Sequence, residues 1–152
     1  MSYELLLLPV PPGASVEEAG EVLEVRLSGG HVFVDPSATS TARRRALAAE
    51  AVGADPALIE DDAAPGGRIV LTGGGLQFEI DARFVVCRVD YARGGDEAES
   101  VFERLFRVVG AVIRETGWCV YDPQGASVAE PDDEGRDATL EIYLSVIDQL
   151  PP

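Results

Sequence analysis

The sequence predicts an α+β fold, one domain over residues 1–152. Three observations carry that prediction. The hydrophobic period alternates along the chain between 2, the period of a strand, and 3.6, that of a helix. An alternating segment, 76–81, and a β-branched and aromatic one, 84–91, are separated by a short turn around Ala82-Arg83 and read as a hairpin. Over residues 96–116 a stripe of Val101, Leu105, Val108, Val109 and Val112, widened by Phe102, Phe106 and Ile113, marks a long core helix.

The elements follow in order. Residues 3–8 are short and almost continuously apolar, which suits a buried strand, and Pro9, Pro11, Pro12 and Gly13 end it. Ser15 with Glu18 three positions on is a capping box, after which Val16, Ala19, Val22 and Leu23 share one face. This spacing predicts a helix over 16–27, closed by Gly29-Gly30. Residues 31–34 read as a short strand. Thr39 or Ser40 then caps an Ala-rich helix over about 41–52, with Gly53 at its C-terminal side. Residues 54–67 carry Pro56, Pro65, Gly66 and Gly67 and read as an exposed loop, and 68–71 as an extended run. Past the core helix, which Gly117 stops, residues 118–121 form a buried strand. An acidic loop runs on through Gly135, and the alternation over 140–147 predicts a final strand.

Strand, helix, strand, strand, helix, strand is the order of a ferredoxin-like sandwich: a mainly antiparallel sheet with helices on one face, here with residues 31–66 as an inserted helix and loop. In that arrangement the strands of Cys87 and Cys119 flank the first strand. They lie about 9–10 Å apart, beyond the roughly 7 Å between Cα atoms that a disulfide spans, so both cysteines are expected as buried free thiols.

Charge bounds the partners. The chain has 27 acidic and 12 basic residues, a formal charge of −15, and every basic residue is Arg. Nucleic acids and anionic membrane surfaces are bound by neutralising phosphates with Lys and Arg, so both are poor partners for this chain; a basic protein is the complementary one. No stretch approaches the roughly 18 apolar residues of a membrane span. The opening apolar run lacks a positively charged n-region and a small-residue cleavage site, so a cytoplasmic location is expected.

Chemistry-bearing motifs are sparse. Gly73-Gly74-Gly75 follows a strand, but it lacks the Gly-Lys-Ser/Thr end of a phosphate loop and leads into another strand, so a connection is expected there. His31 is the single histidine, and with two distant cysteines it falls short of any zinc spacing. Arg43-Arg44-Arg45 spreads around a helix and reads as a solvated face. No catalytic residue, metal site or cofactor is expected. Asp122-Pro123-Gln124-Gly125 has type I turn chemistry, and its alternative reading is an exposed binding corner built by Tyr121, Asp122 and Gln124. Two acidic triplets, Glu60-Asp61-Asp62 and Asp132-Asp133-Glu134, sit among Gly and Pro and are expected as solvated partner-binding loops.

The opening Met1-Ser2-Tyr3-Glu4-Leu5 and the segment Gly117-Trp118-Cys119-Val120-Tyr121-Asp122-Pro123-Gln124 resemble a loose group of small bacterial proteins. That group begins Met-Ser-Tyr-Asp-Leu and carries Gly-x-x-x-Tyr-Asp-Pro-Gln, and some members are similar to immunity proteins of toxin systems. Glu4 departs from the group's usual Asp. The resemblance implies a cytoplasmic bacterial protein and transfers no catalytic residue. The function expected is a non-enzymatic acidic protein-binding module, an immunity-like inhibitor of a basic partner. The alternative is a small-molecule binder or enzyme with a carboxylate-lined pocket between the sheet and residues 35–66; a buried carboxylate beside a deep pocket would favour it.

Overall fold

The structure, a computed structural model, describes residues 2–10, 15–27, 41–61, 68–80, 84–91 and 95–150, with only the backbone over 22–27. The expected strand over 31–34, together with His31, lies outside these residues. The elements are β1 (Ser2–Leu8), α1 (Val16–Leu27), α2 (Thr41–Ala54), β2 (Ile59–Glu60), β3 (Ile69–Gly73), β4 (Leu76–Ile80), β5 (Val85–Asp90), α3 (Gly95–Thr116), β6 (Cys119–Asp122), β7 (Ser127–Ala129) and α4 (Asp133–Gln149). The seven strands form one sheet in the order β2-β3-β4-β5-β1-β6-β7, each neighbouring pair antiparallel.

The apolar run of β1 explains its central place. Leu5 and Leu7 enter one core, with Phe78, Cys87, Leu105 and Val120, while Leu6 and Leu8 enter a second, with Val86, Cys119 and Tyr121. A strand apolar at both parities needs cover on both sides. Helices α2, α3 and α4 cover the first face, and Ala19 of α1 packs into the second. This corrects the expectation of helices on one face only. It also places α2, expected as part of an insertion, directly beside α3 in the main helical layer. Cys87 and Cys119 are free and buried on opposite faces of the sheet.

A second correction concerns the C-terminal segment: residues 140–147 belong to α4. Leu140-Glu141-Ile142-Tyr143-Leu144 alternates, but Leu140, Tyr143, Leu144 and Ile147 also fall at i, i+3, i+4 and i+7, the spacing of one helical face. The start settles the choice. Asp132 is an N-cap whose Oδ1 accepts the Gly135 N–H at 2.9 Å, and Asp133 and Glu134 occupy the first turn, where carboxylates favour the positive helix end. Tyr143 is fully buried, and its hydroxyl donates to the Asp90 carbonyl.

Local chemistry elsewhere follows the sequence. Ser15 and Glu18 bond reciprocally, Glu18 N–H to Ser15 Oγ at 3.2 Å and Ser15 N–H to Glu18 Oε2 at 3.1 Å. The β3–β4 connection is a tight two-residue turn, because Gly73 pairs with Leu76 and both Gly74 (φ 57) and Gly75 (φ 86) are left-handed, as a type I′ hairpin demands. A Cβ on Gly73 would overlap the Ala57 carbonyl. The turn's carbonyls face a cation rather than a phosphate: Arg104 of α3 donates to Gly74 O at 3.0 Å and pairs with the buried Asp55 at 2.5 Å, tying α3 to the end of α2 and to this hairpin.

Candidate functional site

The expected binding corner is an internal latch. Asp122 is fully buried, and its Oδ2 accepts the hydroxyl of Tyr3. Its Oδ1 accepts Gln124 N–H at 2.9 Å, Gln124 Nε2 at 2.8 Å and Gly125 N–H at 3.1 Å. The Gln124 amide then reads the backbone of β1, accepting Glu4 N–H at 2.9 Å and donating to Glu4 O at 2.7 Å. The start of β1 and the turn after β6, 119 and 120 positions apart in these bonds, are thus one hydrogen-bonded unit. Tyr121 is buried on the α1 face, so neither Tyr121 nor Asp122 offers a free side chain to a partner. Burial, and next the hydrogen bond to Asp122, push the Tyr3 phenol far above its ordinary value.

The acidic triplets divide in the same way. Glu60 lies in the edge strand β2 rather than a loop, with Arg45 Nη1 2.7 Å from both of its oxygens, and the Asp61 N–H donates to Val70 O at 2.8 Å. Asp62 lies outside the described residues. Arg43 donates to the Glu115 carbonyl at 2.6 Å near the end of α3. Members of the Arg43-Arg44-Arg45 run therefore staple α2 to its neighbours, where a solvated face was expected. Asp132, Asp133 and Glu134 are exposed, but they start a helix.

That helix aligns Glu134, one of the expected partner-binding residues, with three carboxylates that the sequence did not single out. Glu134, Asp137, Glu141 and Asp148 are all exposed, and their spacing of three, four and seven places them on one stripe of α4, about 21 Å long at 1.5 Å per residue. Among the described residues no ion pair engages Glu134, Glu141 or Asp148; the one basic residue of α4, Arg136, pairs with Asp133 and Asp137 at its start. Reading 140–147 as a strand concealed this stripe.

A second polar surface lies on the α1 side of the sheet, toward β3, β4 and β5. Glu4, Arg88, Glu79 and Arg68 form a cross-strand ladder with contacts of 3.0, 2.7 and 2.8 Å. Burial opposes the charge on Arg88, yet its hydrogen bonds to Glu79 and Glu4 hold the guanidinium above its ordinary value. Beside the ladder is a depression of about 370 Å³ whose lining includes Ser2, Thr72, Gln77, Arg88 and Asp90. The strand alternation contained these residues at polar positions, but only the register brings them together.

Other chemistry is restrained. The Cys119 thiol is pushed up to about 11 by burial, and burial raises the Cys87 thiol further, so both stay protonated near neutral pH. Among the described residues no group of three or more His, Cys, Asp or Glu could hold a metal ion, and no helix is long and apolar enough to cross a membrane. Compared with protein-family models, curated proteins and solved structures, the chain matches none of them.

Proposed function

We propose that the protein is a non-enzymatic binding module that presents the acidic stripe of α4 to a basic protein partner, in the manner of an immunity-like inhibitor working in the bacterial cytoplasm. The exposed carboxylates of Glu134, Glu141 and Asp148, which no ion pair among the described residues engages, are the observation that carries this reading. A chain at −15 attracts a cationic cleft over long range, and a straight row of carboxylates on a rigid helix orients the encounter. The buried carboxylates also favour binding over catalysis: Asp55 is neutralised by Arg104, and Asp122 is filled by donors within the chain. The strand order β4-β5-β1-β6 supports kinship with ferredoxin-like sheets, elaborated by β2, β3 and β7.

Association kinetics test the reading. The basic protein that co-purifies with the full chain from its source cell is isolated, and its on-rate is measured against salt for wild type and for E134Q/E141Q/D148N. Loss of three steering charges should lower the on-rate roughly tenfold at low salt and flatten its salt dependence. Equal rates and equal slopes for the two proteins would overturn the proposal.

A further inference from the structure

We infer that the depression on the β3–β4–β5 part of the sheet is a site for a single guanidinium or ammonium group. The register builds it. Thr72 stands opposite Gln77, Gln77 opposite Arg88, and Asp90 opposite Ser2, so hydroxyl, amide, guanidinium, carboxylate and hydroxyl line one concave patch. At about 370 Å³ it lies at the small end of ligand sites, the size for one side chain or a small amine rather than a nucleotide.

The charges select the sign of the ligand. Arg88 would be the anion receptor of such a patch, but its Nε and Nη1 are already committed to Glu4 and Glu79. Asp90 is exposed, and no ion pair among the described residues engages its carboxylate. Among the described residues, Glu4, Glu79 and Asp90 stand against Arg68 and Arg88, one negative charge in excess. An anion entering here meets Asp90 with Arg88 already neutralised. A cation finds the Asp90 carboxylate opposite Ser2, in a depression that Thr72 and Gln77 also line with acceptor oxygens, and a guanidinium, with five donors in a planar fork, suits such a lining. The cation comes from either of two sources, an arginine side chain of a protein or a free small guanidine. The site is separate from the α4 stripe, so it stands or falls independently of it.

The test is an amide-resolved NMR titration of the full chain with three probes: a Gly-Arg-Gly peptide blocked at both ends, agmatine, and glutamate as an anionic control. Saturable shifts at Thr72, Gln77 and Asp90 with the cationic probes, absent with glutamate, are expected. Tighter binding of the peptide than of agmatine identifies a protein side chain as the source, and the reverse order identifies a free guanidine. Asp90→Asn, which keeps shape and removes charge, should weaken binding about tenfold, and Gln77→Ala provides a second variant should the first fail to fold. E134Q/E141Q/D148N should bind the cationic probes as wild type does. Absence of saturable shifts, equal response to glutamate, binding undiminished in both site variants, or loss of binding in the α4 variant would each overturn the assignment.

Discussion

Tyr3→Phe isolates the latch from the core around it. The Tyr3 ring sits edge-on to Tyr91, Phe102 and Tyr143, with centroids 6.3, 6.0 and 5.6 Å away, and phenylalanine keeps all three contacts. Only the hydroxyl leaves. Asp122 Oδ2, fully buried, then loses its donor, while Oδ1 keeps the three from Gln124 and Gly125. A hydrogen bond to a charged group contributes about 1.5–3 kcal/mol, and each kcal/mol moves the Tm of a chain of this size by roughly 2–4 °C. Urea unfolding followed by the fluorescence of buried Trp118 should therefore show a loss of ~2 kcal/mol with an unchanged m-value. The pH dependence gives an independent check. The folded phenol is raised above its unfolded value of 10.0, so its contribution is complete below about pH 10 and falls as pH rises beyond it, by about 1.4 kcal/mol per unit. The gap between wild type and Tyr3→Phe should narrow above pH 10. A variant within 0.5 kcal/mol of wild type at neutral pH, or a gap that stays constant to pH 11, would refute the latch argument.

Further outcomes are equally specific. Asp132→Ala should lower stability by about 1 kcal/mol and Asp132→Asn by almost nothing, because either Asp or Asn accepts the Gly135 N–H; equal losses in thermal melts would contradict the cap. Arg104→Met should destabilise by about 3–5 kcal/mol by stranding buried Asp55, and the double variant Arg104→Met/Asp55→Leu should recover part of that loss in denaturant melts. Cys87 and Cys119 should resist a thiol reagent in native protein at pH 8 and react stoichiometrically in denaturant, since burial holds both protonated; fast native labelling of either would show an opening of the sheet.

Much of the fold was legible wherever a local pattern decided it. The capping box at Ser15, the long stripe of α3 and the β4–β5 pair need only neighbours within a few residues. The ambiguity of α4 is local as well, for Leu140-Glu141-Ile142-Tyr143-Leu144 satisfies both periods, and the Asp132 cap upstream sits in an acidic run whose composition equally suits a loop. The face that α1 covers was encoded in Leu6 and Leu8, whose parity asks for a second core. The candidate surfaces were the least legible. The carboxylates of α4 become one stripe only once it is a helix, and Thr72, Gln77, Arg88 and Asp90 converge only through the register of three strands. Tyr3 and Asp122 both stood in the resemblance segments, but their contact spans 119 positions.

The central position of β1 governs how the chain reaches its fold. Leu7 pairs with Val85 and Leu6 with Tyr121, so β1 leaves the ribosome well before either neighbour exists. At synthesis rates of about 5–20 residues per second, its apolar run waits for seconds without a partner. Loop-closure entropy must be met before these long-range pairings form, which slows this step relative to the local ones. The hairpin β4–β5 and helix α3 are local in sequence, whereas the place of β1 between β5 and β6 depends on partners made much later in the chain.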